Sequence, residues 1–138
     1  GKLILSEMVS GNSLATINVN IDKTGKFMVS DSTINRINPD LEYRAKVILP
    51  GYLVRAVTLG KIGTSCINID STKSFISGDF DGDNIIKIAD LVKLIAAYNG
   101  QSDSLINSVY RHQVETKPNI IDIINVIRSL NINSQGDL

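Results

Sequence analysis

Apolar and polar residues recur along this chain with two different periods. In Leu14-Ala-Thr-Ile-Asn-Val-Asn-Ile21, apolar Ile17, Val19 and Ile21 alternate with polar Thr16, Asn18 and Asn20. That period of two predicts a half-buried antiparallel strand. Asp22-Lys-Thr-Gly25 has turn chemistry, and Lys26-Phe-Met-Val29 is expected to return as its hairpin partner. After Pro39-Asp40, Tyr43, Ala45, Val47 and Leu49 share one face of a further strand. Pro50-Gly51 is a turn, and Tyr52–Thr58 and Ser65–Asp70 read as two more strands. Short strands at turn-bounded spacing, with no helical period, predict a small β-sandwich.

The period changes after about Phe75. Ile88–Tyr98 carries apolar residues at i, i+3, i+4 and i+7, and Asn99-Gly100 ends it with C-cap chemistry. Ile120–Leu130 repeats the pattern and stops at Asn131, while Ser102-Asp103 can cap a short helix running to about Val109. A boundary near Ser77-Gly78 therefore divides the chain into a β module, residues 1–76, and a helical module, residues 77–138. Within the second, residues 79–99 overlay 111–131 at an offset of 32. The overlay pairs Ile88 with Ile120, Asp90 with Asp122, Ile95 with Ile127 and Asn99 with Asn131. Identities are few, but the apolar positions are kept throughout the helix, which predicts a repeated loop–helix unit.

Composition narrows the function classes. The 138 residues carry 14 Lys+Arg against 14 Asp+Glu, so no basic surplus exists for a general grip on nucleic acid or an anionic membrane. The apolar runs are too short for a membrane span. One cysteine, Cys66, excludes an internal disulfide and a cysteine-based zinc site. The opening Gly1–Leu5 lacks the charged and apolar regions of a signal peptide and reads as a cut boundary, so no compartment is legible there.

Asp79-Phe-Asp-Gly-Asp-Asn-Ile-Ile-Lys-Ile-Ala-Asp90 carries the candidate chemistry. Its carboxylates stand at loop positions 1, 3, 5 and 12, the spacing with which an EF-hand-like loop surrounds calcium. Four acids so close repel one another unless a hard cation lies among them. Asp79, Asp81, Asp83 and Asp90 are therefore candidate ligands, with the backbone carbonyl of Ile85 at position 7. The side chains of Ile85 and Ile86 are expected to point inward and anchor the loop. Lys87 at position 9 cannot ligate, which leaves that vertex to water. Asn84 stands where glycine is usual, a substitution favoured by its tolerance of left-handed backbone. Oxygen-only donors argue against zinc. The bland alternative is a solvated acidic turn with Asp90 near a helix cap.

The equivalent loop, Arg111 to Asp122, is degenerate: Arg111, Gln113 and Glu115 occupy positions 1, 3 and 5, with Asp122 at 12. A guanidinium at a ligand position repels a dication, so this loop is expected to hold no calcium. Either Arg111 serves as an internal cation for Glu115 or Asp122, or it points into solvent and Ile120 and its neighbours hold the loop.

Paired loop–helix repeats with Asp at position 12, and no helix before the first loop, resemble a dockerin. Gly78 to Leu91 carries that resemblance most strongly, and residues 107–131 carry it weakly. The β module, with Leu49-Pro-Gly-Tyr-Leu53, resembles the X module that precedes some type II dockerins. It is also similar to immunoglobulin-like and carboxypeptidase-regulatory-like sandwiches. The resemblance implies a calcium-folded module whose helices bind a cohesin on another protein, in cellulosome assembly or cell-surface attachment. It also implies a secreted location and a role in polysaccharide degradation. Ile88-Ala89 and Ile120-Ile121 stand where type I members often carry Ser-Thr, so recognition is expected to be apolar and type II-like.

The residues point the same way. The first long helix has only Asp90 and Lys93 charged and the second only Asp122 and Arg128, so both are apolar almost all round. A module this small cannot bury every face. Ile88, Ala89, Leu91, Val92, Ala96, Asn99, Ile120, Ile121, Ile124, Asn125 and Arg128 are the expected partner-binding residues, with cover by the β module as the alternative. The leading expectation is a non-catalytic, calcium-dependent protein–protein adaptor. A carbohydrate-binding or wall-attachment module on the sandwich is the runner-up, although Tyr43, Tyr52 and Phe27 read more simply as core. An enzyme is third, because His112 and Cys66 belong to no recognisable catalytic constellation.

Overall fold

A computed structural model describes residues 1–20, 29, 37–62, 75–110, 117–133 and the backbone of 135–137. It contains a mostly antiparallel sheet and three short helices, in two compact units. The division is not a single cut near residue 77. The first unit comprises 1–49, 54–74 and 135–138; the second comprises 50–53 and 75–134.

The first unit is built on five strands: β1 (Lys2–Glu7), β2 (Ser13–Asn18), β3 (Glu42–Ile48), β5 (Arg55–Lys61) and β7 (Gln135–Asp137), in the order β2-β1-β3-β5-β7. All neighbours are antiparallel except β5 and β7, which run parallel. On β3 the expected face is buried: Tyr43, Ala45, Val47 and the following Leu49 are inside, while Glu42, Arg44 and Lys46 are exposed. Leu3 stands opposite Val47 and Leu5 opposite Ala45, so one core face runs across β1 and β3. Burying these side chains is worth roughly 25 cal/mol per Å² of apolar surface removed from water. Tyr43 also fixes the turn before it, accepting from the Asn38 N–H at 2.9 Å and donating to the Asn38 carbonyl at 3.2 Å. Opposite Tyr43 the ladder bulges at Gly60, whose φ of 64° suits a residue without Cβ.

Two expectations change here. Gly1–Leu5 reads in the sequence as a cut boundary, yet β1 is paired on both sides. The Tyr52–Thr58 run is not one strand. Gly51–Tyr52 forms β4, which pairs with β6 (Ser77–Asp79) in the second unit, and β5 starts only at Arg55. Between them the Leu53 N–H donates to the Ile76 carbonyl at 2.9 Å, and the Leu53 side chain enters the helical core. Among the described residues the first unit has one sheet. The expected Lys26–Val29 strand, apart from Val29, and Ser65–Asp70 lie outside them.

The second unit carries α1 (Ile88–Tyr98), α2 (Ser104–Val109) and α3 (Ile120–Arg128). Its core gathers Leu53, Phe80, Ile86, Leu94, Ala97, Ile106, Tyr110, Ile123 and Val126. Asp103 caps α2, accepting from the Leu105 and Ile106 N–H groups at 2.9 and 3.0 Å. Gly78 has φ 126°, and a Cβ there would meet Val126 and Ile86 at 3.2 and 3.3 Å. Glycine thus lets β6 lie against the helical core just before the acidic loop.

Candidate metal centre and the exposed helix faces

β6 delivers Asp79 to the start of the loop, and α1 begins nine residues later with Lys87 as its N-cap. Every backbone N–H from Phe80 to Lys87 has an acceptor, and all but one are carboxylates of this stretch. Gly82 and Asn84 donate to the two oxygens of Asp79 at 2.8 and 3.0 Å. Asp83 donates to Asp81 at 3.2 Å, and Ile85 donates to Asp83 at 3.0 Å. Phe80 and Asp81 donate to Asp90 Oδ1 at 2.8 and 3.2 Å, and Lys87 donates to Asp90 Oδ2 at 2.9 Å. Ile86 is the exception: its N–H donates to the Ile132 carbonyl at 2.9 Å. Short side chains bonding to nearby backbone explain why Asp can wrap a loop this tightly. Asn84 adopts φ 64°, the left-handed conformation its side chain tolerates.

One oxygen from each of Asp79, Asp81 and Asp83 lies within 4.8 Å of the others, so the three could hold a metal ion. Asp79 is buried, while Asp81 and Asp83 are exposed. Burial pushes the Asp79 carboxyl above the ordinary range, and the charges of Asp90 and Asp81 push it further, against the Asn84 and Gly82 N–H bonds. Lys87 Nζ forms an ion pair with Asp83. That bond holds the Asp83 carboxyl below its ordinary value and raises the Lys87 ammonium. Lys93 Nζ donates to the Phe80 carbonyl at 3.3 Å, so a second cation borders the loop. The donor set is all oxygen and anionic, which fits a hard cation.

The fourth expected ligand, Asp90, falls outside this cluster. It is fully buried, and both oxygens tie the loop to the helix start. Ile85 is 37% exposed and does not anchor the loop; of the two isoleucines it is Ile86, fully buried, that does so. The Ile86 carbonyl also accepts from the Asn131 N–H at 2.8 Å, and Ile85 bridges Asn133. Contact between the acidic loop and the end of α3 was not foreseen, because no spacing rule links residues 46 apart. In the degenerate loop, Arg111, Gln113 and Glu115 lie outside the described residues, as do His112 and Cys66. Asp122 is buried and accepts from the Asn119 N–H at 2.7 Å.

The helices repeat one another in burial as well as sequence. Asp90, Leu94 and Ala97 face inward on α1, and Asp122, Ile123 and Val126 do so on α3. Outward, Ile88, Val92 and Ile95 are matched at the offset of 32 by Ile120, Ile124 and Ile127, all exposed. Ile88 is 70% exposed and Ile121 61%. Ala89, Asn99, Asn125 and Arg128 are exposed too. Leu91 and Ala96 are only half-buried, and Leu91 packs on the core instead of standing in the outward stripe. Ile95, Ile127 and Tyr98 complete the exposed apolar surface and were absent from the expected set, although the i, i+4, i+7 spacing from Ile88 and Ile120 reaches the first two.

Comparison of the chain with protein-family models and with curated proteins finds no match. No helix among the described residues is long and apolar enough to cross a membrane.

Proposed function

We propose that the chain is a non-catalytic, calcium-dependent adaptor of the dockerin type. On this reading Asp79, Asp81 and Asp83 hold one calcium ion, with the Ile85 carbonyl available beside them, and Asp90 fixes the loop from behind. The ion neutralises the mutual repulsion of the three carboxylates and so fixes the entry to α1. The outward faces of α1 and α3 then dock on a cohesin-like module of another polypeptide in an extracellular, cell-surface-associated assembly such as a cellulosome.

The observation that carries the reading is the repeated pair of exposed apolar stripes, one of which leaves directly from the acidic cluster. Large apolar side chains in register on a small unit are costly to leave in water unless a partner covers them. The carbohydrate-binding alternative has less support. Tyr43 is buried and Tyr52 is half-buried beside Phe75, with ring centroids 6.3 Å apart, so neither offers a flat sugar platform.

Calorimetry with calcium chloride, followed by a panel of immobilised cohesins with and without chelator, tests the proposal. One ion per chain and chelator-sensitive capture are expected. No calcium binding, or capture unchanged in excess chelator, overturns it.

A further inference from the structure

The ammonium of Lys87 is bonded to a carboxylate of the very cluster that could hold a metal ion. Lys87 stands four residues after Asp83 and is the N-cap of α1, so its backbone position is fixed by the Asp90 bond to its N–H. Its side chain is therefore tethered within reach of the cluster. The three clustered acids carry three negative charges, and Lys87 offsets one of them. A divalent ion drawing on Asp83 must share that carboxylate with the ammonium or displace it, and in either case meets a like charge at short range.

We propose that Lys87 is a built-in competitor cation that sets the affinity of this loop for calcium. The proposal rests on the reading of residues 79–90 as a calcium loop. Lys87 supports the three acids when it is their cation and opposes the ion that replaces it. A unit charge near 4 Å from a divalent one, in water and partly screened, is worth about tenfold in a binding constant. The tether thus shifts the calcium concentration at which α1 is locked without altering any ligand.

The test compares the full chain with its Lys87→Gln and Lys87→Arg variants by calcium calorimetry at low and high salt, with thermal melts followed by circular dichroism. Lys87→Gln is expected to bind calcium about tenfold more tightly at low salt, with the gap narrowing as salt rises, while Lys87→Arg stays close to the parent. In chelator Lys87→Gln should melt below the parent, and in saturating calcium above it, an inversion that a merely structural lysine would not produce. Equal affinities with one ion bound to each chain overturn the proposal and leave the calcium loop standing, as does weaker binding by Lys87→Gln. No calcium binding by any of the three overturns both.

Discussion

The two long helices begin with the same carboxylate at their third position and with different N-caps. At α3 the N-cap is a side-chain acceptor: Asn119 accepts from the Ile121 and Asp122 N–H groups at 2.8 and 3.2 Å, and Asp122 accepts from the Asn119 N–H. This is a capping box, and neighbouring residues suffice to make it. At α1 the carboxylate of Asp90 plays the part of Asp122, but the N-cap is Lys87, whose side chain cannot accept a hydrogen bond. That side chain turns to Asp83, and Asp90 bonds back into the loop at Phe80 and Asp81. The two starts thus differ in the N-cap: a side-chain acceptor at Asn119, and at Lys87 a cation paired with one acid of the cluster.

The largest test of this contrast is Asp90→Ala. It removes the acceptor of three backbone N–H groups at a buried site, and a cost of about 3–5 kcal/mol is expected in urea unfolding. A loss below about 1 kcal/mol would show that Asp90 does not hold the loop to α1. Charged replacements on the outward stripes come next. Ile88→Asp and Ile120→Asp should each weaken partner binding by about 2–3 kcal/mol, while leaving stability within about 0.5 kcal/mol because both positions are exposed. If only one of them matters in a binding titration, the partner reads one helix and not the pair.

A smaller effect is expected at the local cap. Asn119→Ala should cost about 1 kcal/mol, and calcium should not alter that cost. A cost that changes on adding calcium would mean that α3 also answers to the ion. The smallest effect at neutral pH concerns Tyr110, which lies edge-on to Phe80 at 5.9 Å and donates to Ser77 Oγ at 3.3 Å. Burial, against the Ser77 bond and with a contribution from the charge of Asp122, pushes its phenol up from 10.0 to about 12. The fold favours the neutral phenol, so this stabilisation is complete below pH 10 and is lost as pH rises through about 12. Absorbance titration should show a late tyrosine whose ionisation accompanies unfolding. Tyr110→Phe should remove that step, and a Tyr110 that titrates at its ordinary value would contradict the packing described.

Local chemistry made much of this structure legible. The limits of α1, the Asp103 cap, the left-handed Asn84 and the buried face of β3 all follow from spacings of a few residues, where periodicity and turn preference act. Three of the four acids also gather as their spacing implied, because they share one short loop. Asp90 is the instructive departure. Its position in the ligand pattern coincides with N3 of a helix, and sequence cannot say which demand wins. Leu53 is another, since a strand pattern continues through it while its side chain enters the helical core. The tie between Ile86 and residues 131 and 132 left no local trace at all.

The order of residues alone determined the periods, the helix caps, the repeat and the placing of several acids in one tight turn, since each depends on neighbours along the chain. The tertiary structure decided which strands pair, where the sheet and helical units divide, which isoleucines face water and which carboxylates remain available to a cation. Those outcomes depend on burial and on competition for backbone N–H groups between distant segments, and only the folded chain brings these segments together.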